Sequence, residues 1–357
     1  MRGAGFSAFY ACMLWHTRGV PRYAVLVRES SNRVFGTSAP ALLAAEVQAI
    51  GRHLTHGVSD VSRRELGGLS YVLFATEDLD ANDVFILSNL ALGRGVFEQT
   101  DGAALLPVDA TPLECFESDI ITIQRYVGKT NEQFTHLLVN LALAESMAAH
   151  ERATAGETVS LLDPVAGRGS TLNRGLVYGF DVAGIELEES HVDQYKQFLT
   201  TYLKDHRIKH KVESERIRKG SHAGSAAFDV RIRPNRPDEL RRVRMVHGST
   251  DASVGLFPGQ KFDVLAGDLP YGVHHNARSE KASAARSPER LVADALPSWR
   301  KIMANGASLG LSWNVQTLSR ENLANVLVDG GFEVVRVPAS FEHVVDRRIT
   351  RDVIVSR

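Results

Sequence analysis

From Gly156 onward the chain alternates short apolar runs with amphipathic ones, and this alternation limits the fold more than any other feature. Thr158–Asp163, Asp181–Glu186, Val243–His247, Phe262–Asp268, Ala307–Trp313 and Phe332–Val337 read as strands. Ser170–Tyr178, Ser190–Lys204, Pro288–Met303 and Ser319–Asp329 read as helices between them. Strands that alternate with helices join through crossovers, so the expected fold class is α/β: a mostly parallel sheet covered by helices on both faces. A last run, Asp352–Ser356, reads as an edge strand.

The first part of the chain has a different character. Tyr23–Arg28 and Leu69–Phe74 read as strands, and Asp83–Leu92 as a helix. A second helix is expected from a cap at Ser38 to about Leu54, with Leu42, Leu43, Val47 and Ile50 at helical spacing. Residues 1–115 are therefore expected to form a small α+β domain, and residues 116–357 the α/β domain. Between them, Ile120, Ile121 and Ile123 suggest a short strand. Thr130 and Gln133 suggest a capping box for a helix that carries Phe134, Leu137, Leu138 and Leu141 on one face and runs to about His150.

Composition excludes several classes. Charged residues make up 23% and apolar ones 44%, as in an ordinary globular protein. Two cysteines, Cys12 and Cys115, cannot carry a disulfide framework, no CxxC or HExxH occurs, and no metal site is expected. This cysteine usage fits a reducing cytoplasm. The apolar run Phe6–Trp15 after Arg2 lacks a clear cleavage site for a signal peptide, and no stretch of about twenty apolar residues suggests a membrane span. Net charge is −1, so binding to nucleic acid would need a local concentration of basic residues. One exists: residues 204–244 hold thirteen Lys and Arg against six acids, an excess of seven, and read as a basic insertion. Gly220, Gly224, Pro234 and Pro237 argue against one continuous helix there.

Two motifs carry chemistry. Leu161-Leu-Asp-Pro-Val-Ala-Gly-Arg-Gly-Ser-Thr171 leaves a strand and opens a helix. Gly167 and Gly169 allow close backbone approach, and the helix end offers free N–H groups. A dinucleotide fingerprint would place glycine at Leu172, so it is incomplete. Asp163 suits a ligand that carries an ammonium group, and Glu186 ends the next strand where ribose hydroxyls can be accepted. S-adenosylmethionine has both features. Gly128-Lys129-Thr130 does not complete a phosphate loop, because position 123 is Ile.

The second motif is Asp268-Leu-Pro-Tyr-Gly272, at the end of a buried strand. An exocyclic base amine is a weak nucleophile because its lone pair delocalises into the ring. The Asp268 carboxylate and the Leu269 carbonyl can accept its two hydrogens and draw the lone pair out of conjugation. Pro270 stiffens the loop and Tyr271 can stack on the base. Alignment then supplies most of the acceleration.

The set Asp163-Pro-Val-Ala-Gly-Arg-Gly169, Glu186, Asp251-Ala252 and Asp268-Leu-Pro-Tyr-Gly272 resembles the class I S-adenosylmethionine-dependent amino-methyltransferases. Within them it is most similar to the tRNA guanine-N2 methyltransferases that modify the guanosine at position ten. The resemblance covers about residues 120–357, and it departs at Leu269, where that family has Pro. It implies a Rossmann-like, seven-stranded, mostly parallel sheet and an N-terminal RNA-binding THUMP domain, although no THUMP motif is matched in residues 1–115. It also implies S-adenosylmethionine as cofactor, with Asp163, Gly167 and Gly169 on its methionine part, Glu186 on the ribose and Asp251 on the adenine amine. Thr130, Asn131 and Phe134 would flank the cofactor, and Asp268, Leu269, Pro270 and Tyr271 would form the catalytic loop. The implied partner is tRNA or another RNA.

The rival readings are a DNA adenine-N6 or cytosine-N4 methyltransferase, a non-catalytic RNA-binding protein with the same fold, and, more distantly, a dehydrogenase. Among lesser candidates, His274 and His275 follow the catalytic loop, Arg347, Arg348 and Arg351 are read as facing RNA, and Trp313 is read as core. Asn314 is read as a pocket residue.

Overall fold

The computed structural model describes residues 22–100, 104–110, 112–126, 128–217, 225–233, 240–270, 287–337 and 339–357. Cys12, the apolar run 6–15, Tyr271, His274 and His275 lie outside the described residues, as do the loops at 218–224 and 234–239 of the basic insertion.

The first unit consists of β1 (Arg22–Val27), α1 (Arg33–Gly51), β2 (Ser59–Leu66), β3 (Leu69–Ala75), α2 (Ala81–Ser88), β4 (Gly93–Gln99) and β5 (Leu105–Pro107). Its five strands pair antiparallel in the order β2-β3-β1-β4-β5. The first helix starts earlier than expected, because Asn32 rather than Ser38 caps it by accepting from the Phe35 N–H at 3.1 Å.

The connecting stretch corrects three expectations. Ile120 and Ile121 are both buried while Ile123 is exposed, which a strand's alternation forbids, and Asp119–Thr122 forms a helical turn, α3. Next come α4 (Glu132–Ala144) and α5 (Met147–Thr154). The cap of α4 is Asn131, which accepts from the N–H groups of Gln133 and Phe134, so Thr130 is not the capping residue. The expected continuous helix to His150 breaks because Ser146 starts a new one, accepting from Ala149 N and donating to the Asp263 carbonyl at 2.6 Å.

The remainder runs β6 (Ser160–Asp163), α6 (Ser170–Val177), β7 (Asp181–Glu186), α7 (Glu189–Asp205), β8 (Lys209–Ile217), β9 (Ser225–Arg233), β10 (Arg241–His247), α8 (Ser253–Leu256), β11 (Phe262–Asp268), α9 (Pro288–Ile302), β12 (Met303–Asn314), α10 (Arg320–Asp329), β13 (His343–Asp346) and β14 (Ile349–Ser356). These strands form one sheet in the order β13-β14-β12-β11-β6-β7-β10-β9-β8. The five central strands are parallel, and the two at either side are antiparallel. Neighbouring residues of the central strands serve opposite cores: Leu161 and Val182 join one buried cluster, Leu162 and Ala183 the other. The large unit is thus a doubly wound, Rossmann-like sheet of nine strands, in which the hairpin β8–β9 and the short strand β13 join six of the seven strands expected.

At the far edge the sequence reading is corrected again. Phe332–Val337 makes a single bridge, Val334 to Ser356, with Glu333 and Arg357 exchanging backbone hydrogen bonds and Val335 N donating to Val355 O, while β13 pairs with Ile349, Thr350 and Arg351 at the other end of β14. β14 is therefore not an edge strand but lies between β12 and β13.

The two units share one hydrophobic core, in which Val25, Leu43 and Val72 belong to the same cluster as Leu138, Leu161 and Val264. A buried polar chain crosses the junction. Glu46 accepts from Ala91 N at 2.8 Å and from Asn140 Nδ2 at 3.0 Å, Tyr178 donates to Asn140 Oδ1 at 2.5 Å, and His136 Nε2 meets the Tyr178 hydroxyl. Burial pushes the Glu46 carboxyl up to about 7 and holds His136 well below its ordinary value.

Candidate functional site

Chain order reverses direction in the sheet at β6: the strands β6, β7 and β10 run to one side, β11 and β12 to the other. In such sheets the crevice outside the carboxyl ends at this point is where ligands bind. Both sequence motifs end there. Asp163 closes β6 and Asp268 closes β11. They approach so closely that a Cβ on Gly267 would meet Val165 Cγ2 at 3.0 Å and Asp163 Oδ1 at 3.2 Å.

A cavity of about 240 Å³ opens at this junction. Its wall includes Tyr126, Thr130, Asp163, Gly167, Ser170 and Asp268. Gly167 has φ +53° and a Cβ there would meet nothing within 4 Å, so its backbone faces open space. Gly169 differs: with φ +81° it caps α6, and a Cβ would meet the Tyr195 ring at 2.4 Å. Gly167 is open to a ligand, whereas Gly169 lets α6 pack on α7.

Asp163 is 2% exposed. One oxygen accepts from the Val165 N–H at 3.0 Å, and among the described residues no cation pairs with it. Burial pushes its carboxyl up to about 7, and the charges of Asp268 and Glu186 add to that, against hydrogen bonds from Thr171 and Val165. A ligand ammonium would supply the missing counter-charge.

Asp268 has a different environment. Thr130 Oγ1 donates to its Oδ2 at 2.6 Å, and Ser312 Oγ donates to its Oδ1 at 2.6 Å. Arg351 Nη1 stands 3.2 Å from Oδ2, its side chain only 5% exposed. The Arg351 guanidinium lies 5.9 Å from the centre of the Phe134 ring, whose edge contacts His343 with centroids 4.3 Å apart. Because β14 is antiparallel to β12, its first residues lie at the carboxyl edge, and Arg351 opposes Asn314 there. Arg351 is therefore not an RNA-facing arginine as its sequence neighbours suggested; Arg347 and Arg348 are exposed.

The other expected site residues are dispersed around this crevice and behind it. Leu269 is buried and its N–H donates to the Ser312 carbonyl at 2.8 Å, while Pro270 is exposed. Glu186 is not part of the cavity wall; it accepts from Gly167 N and from Glu188 N, each at 2.8 Å, and so ties the glycine loop to the end of β7. Asp251 is exposed on a short turn after β10, anchored where Trp299 donates to Thr250 Oγ1 at 2.8 Å. Asn131 caps α4, and Phe134 is fully buried beneath Arg351. Asn314 does not line the cavity: its side chain binds Arg348 O, Gln316 N and Thr350 N, holding the turn that presents Arg351. Trp313 is core, as expected.

Sequence reasoning missed Tyr126, Ser170, Ser312 and Arg351. The Tyr126 hydroxyl lies 2.9 Å from Ser170 Oγ, and the Arg168 guanidinium covers its ring at 4.8 Å. Only Ser312, near the end of a predicted strand, had a signal that placed it at the ligand edge. Elsewhere, Glu117, Asp119 and His206 cluster. His206 faces two acceptors, Tyr202 O and Asp119 Oδ2, each at 3.0 Å, and donates to both only as an imidazolium, which has no lone pair for a metal.

No family model and no curated protein matches the chain. Solved structures do. The crystal structure of TrmN from Thermus thermophilus is 13% identical with a TM-score of 0.41, covering 84% of this chain. This chain spans only 60% of the length of that protein. A putative RNA methyltransferase, PH1948 from Pyrococcus horikoshii, is 15% identical with a TM-score of 0.36, over 64% of this chain and 84% of its own. A TehB-like SAM-dependent methyltransferase from Corynebacterium glutamicum is 15% identical with a TM-score of 0.33, over 58% of this chain and 85% of its own.

Proposed function

We propose that this chain is an S-adenosylmethionine-dependent methyltransferase that acts on an exocyclic amine of a nucleic-acid base, N2 of guanosine in tRNA being the substrate to test first. The observation that carries the reading is the meeting, at the switch point of the sheet, of a buried carboxylate with no cation on it among the described residues and a second carboxylate met by Thr130, Ser312 and Arg351.

The residues fit the cofactor. Asp163 would pair with its ammonium, and the open backbone at Gly167 would admit its methionine part. Glu186 and Asp251, placed behind and beyond the cavity, would contact its ribose and adenine. The cofactor supplies an electrophilic methyl on a sulfonium, whose neutralisation drives the transfer.

Asp268 would then accept a hydrogen from the amine through a lone pair not used by Thr130, Ser312 or Arg351. Its orientation is fixed before substrate arrives, which is the condition for electrostatic preorganisation. The amine nitrogen gains the methyl and passes its surplus proton to Asp268, which would release it to solvent. Leu269 and Pro270 would present the second acceptor, the Leu269 carbonyl, and Tyr271 would stack on the base. The N-terminal unit, locked to the sheet through Glu46, Asn140 and Tyr178, would contribute to holding RNA.

The test is transfer of labelled methyl from S-adenosylmethionine to total tRNA, followed by mass spectrometry of the nucleosides. N2-methylguanosine supports the proposal in full. Transfer to DNA alone would replace the substrate, and transfer to neither would end the reading.

A further inference from the structure

The hairpin β8–β9 and its neighbour β10 sort the basic insertion by sheet face. Residues opposite one another in the register share a face. Lys209 pairs with Arg233; Lys211 with Arg231, and Arg231 in turn with Arg242; Glu213 with Asp229, and Asp229 with Arg244. These rows hold six cations against two carboxylates, and Glu215 follows on β8 by the same alternation. The alternate residues Val212, Phe228, Val230, Ile232, Val243 and Met245 turn to the other face, where Phe228 packs 6.1 Å from Tyr195 of α7.

The charges are graded along the strands. Toward the carboxyl edge, Glu213 holds Lys211 at 2.7 Å, and Asp229 holds Arg242 and Arg244. Toward the other end, Lys209 and Arg233 face each other with no carboxylate within salt-bridge distance among the described residues. Lys209, Lys211, Arg231 and Arg233 are all exposed. Glu213 also stands 3.9 Å from Arg231, so Glu213 and Asp229 offset part of the repulsion among Lys211, Arg231 and Arg242, three cations directly opposite one another. Basic residues can also serve an edge strand by discouraging pairing with another chain. That role belongs to β8 alone and does not account for the same charge on β9 and β10, which lie inside the sheet.

We propose that this face binds the phosphate backbone of the RNA substrate, an inference that rests on the methyltransferase reading above. The cationic rows lie about 20 Å below the carboxyl edge, counting six residues of β10 at 3.3 Å each. Because β10 and β8 also lie two and four strands to the side of β6, a ligand that touches both the rows and the cavity must span more than about six nucleotide steps of 3.4 Å. The face therefore selects a long RNA over a nucleoside or a short fragment.

The experiment compares the full chain with the variant Lys209→Gln, Lys211→Gln, Arg231→Gln, Arg233→Gln. Binding of total tRNA is titrated at several salt concentrations, methyl transfer is followed with labelled cofactor, and thermal unfolding checks the fold. Loss of four phosphate contacts should weaken tRNA binding at least tenfold in low salt and flatten the slope of log K against log salt by about three. KM for tRNA should rise with little change in kcat, and cofactor affinity by calorimetry should stay the same. A charge-preserving variant, Lys209→Arg, Lys211→Arg, Arg231→Lys, Arg233→Lys, should bind as the parent does, which separates charge from packing. Unchanged affinity and slope in the glutamine variant would overturn the proposal while leaving methylation standing. Binding without methyl transfer by the parent would instead remove the catalytic reading and keep the surface. Tighter binding of duplex DNA than of tRNA would overturn the choice of RNA.

Discussion

Strands β6 and β11 both end on an aspartate, at the same crevice, yet the protein treats the two carboxylates in opposite ways. Asp163 is buried with no cation beside it among the described residues, and burial pushes it up to about 7. Asp268 is met by Arg351, Thr130 and Ser312. A buried carboxylate without a partner is costly, and the cost is recovered when a ligand brings the opposite charge. A carboxylate already paired gains little from a cation and serves as a fixed acceptor. Under the proposed function, the difference would put the cationic ligand on the β6 side and the neutral amine on the β11 side.

The largest expected effect falls on the fixed acceptor. Asp268→Ala should lower kcat by on the order of a hundredfold or more. Cofactor affinity by calorimetry should change little; a comparable loss of cofactor binding would show that the two aspartates do not divide the work.

Next is the Asp268–Arg351 pair. Asp268→Asn leaves a nearly buried guanidinium without its counter-charge and should cost about 3 kcal/mol in chemical denaturation. Adding Arg351→Met should return most of it, since the double variant buries no lone charge. Additive losses would mean that the two side chains are not coupled.

The titration of Asp163 comes third. Its folded value is raised above the unfolded one, so its contribution to the stability of the free protein is full at low pH and is lost as pH rises from about 4 through about 7. Glu46 acts in the same direction. Cofactor binding needs the ionised form, so affinity should rise about tenfold from pH 6 to pH 8. Asp163→Asn should bind weakly with no such rise; a flat profile in the parent would place the ammonium elsewhere.

The smallest effect separates the two glycines. Gly167→Ala should cost only about 1 kcal/mol of stability, the strain of a left-handed residue with open space around it. It should nonetheless weaken cofactor binding. Gly169→Ala should do the reverse, destabilising by about 3 kcal/mol through the Tyr195 ring as well as strain.

Local signals carried much of this in the sequence. A strand, a glycine turn and a helix announce a crossover through periods that reverse within a few residues, so β6, α6, β7 and β11 were legible, as were Asp163, Gly167 and Asp268. The misread parts depend on partners. Ile120 and Ile121 look like a strand until both are seen to be buried in one turn. Thr130 looks like a cap until its hydroxyl is found on a carboxylate 138 residues away.

The sequence alone therefore determined the crossover fold and the two loops at its crevice, because each is written in adjacent residues. Which arginine guards Asp268, and which face the basic insertion shows, were decided only by tertiary structure. Both follow from an antiparallel register: β14 brings Arg351 back to the carboxyl edge, and β8 and β9 align their cations with those of β10. Register is set by pairing across the sheet, and a run of residues read by itself does not contain it.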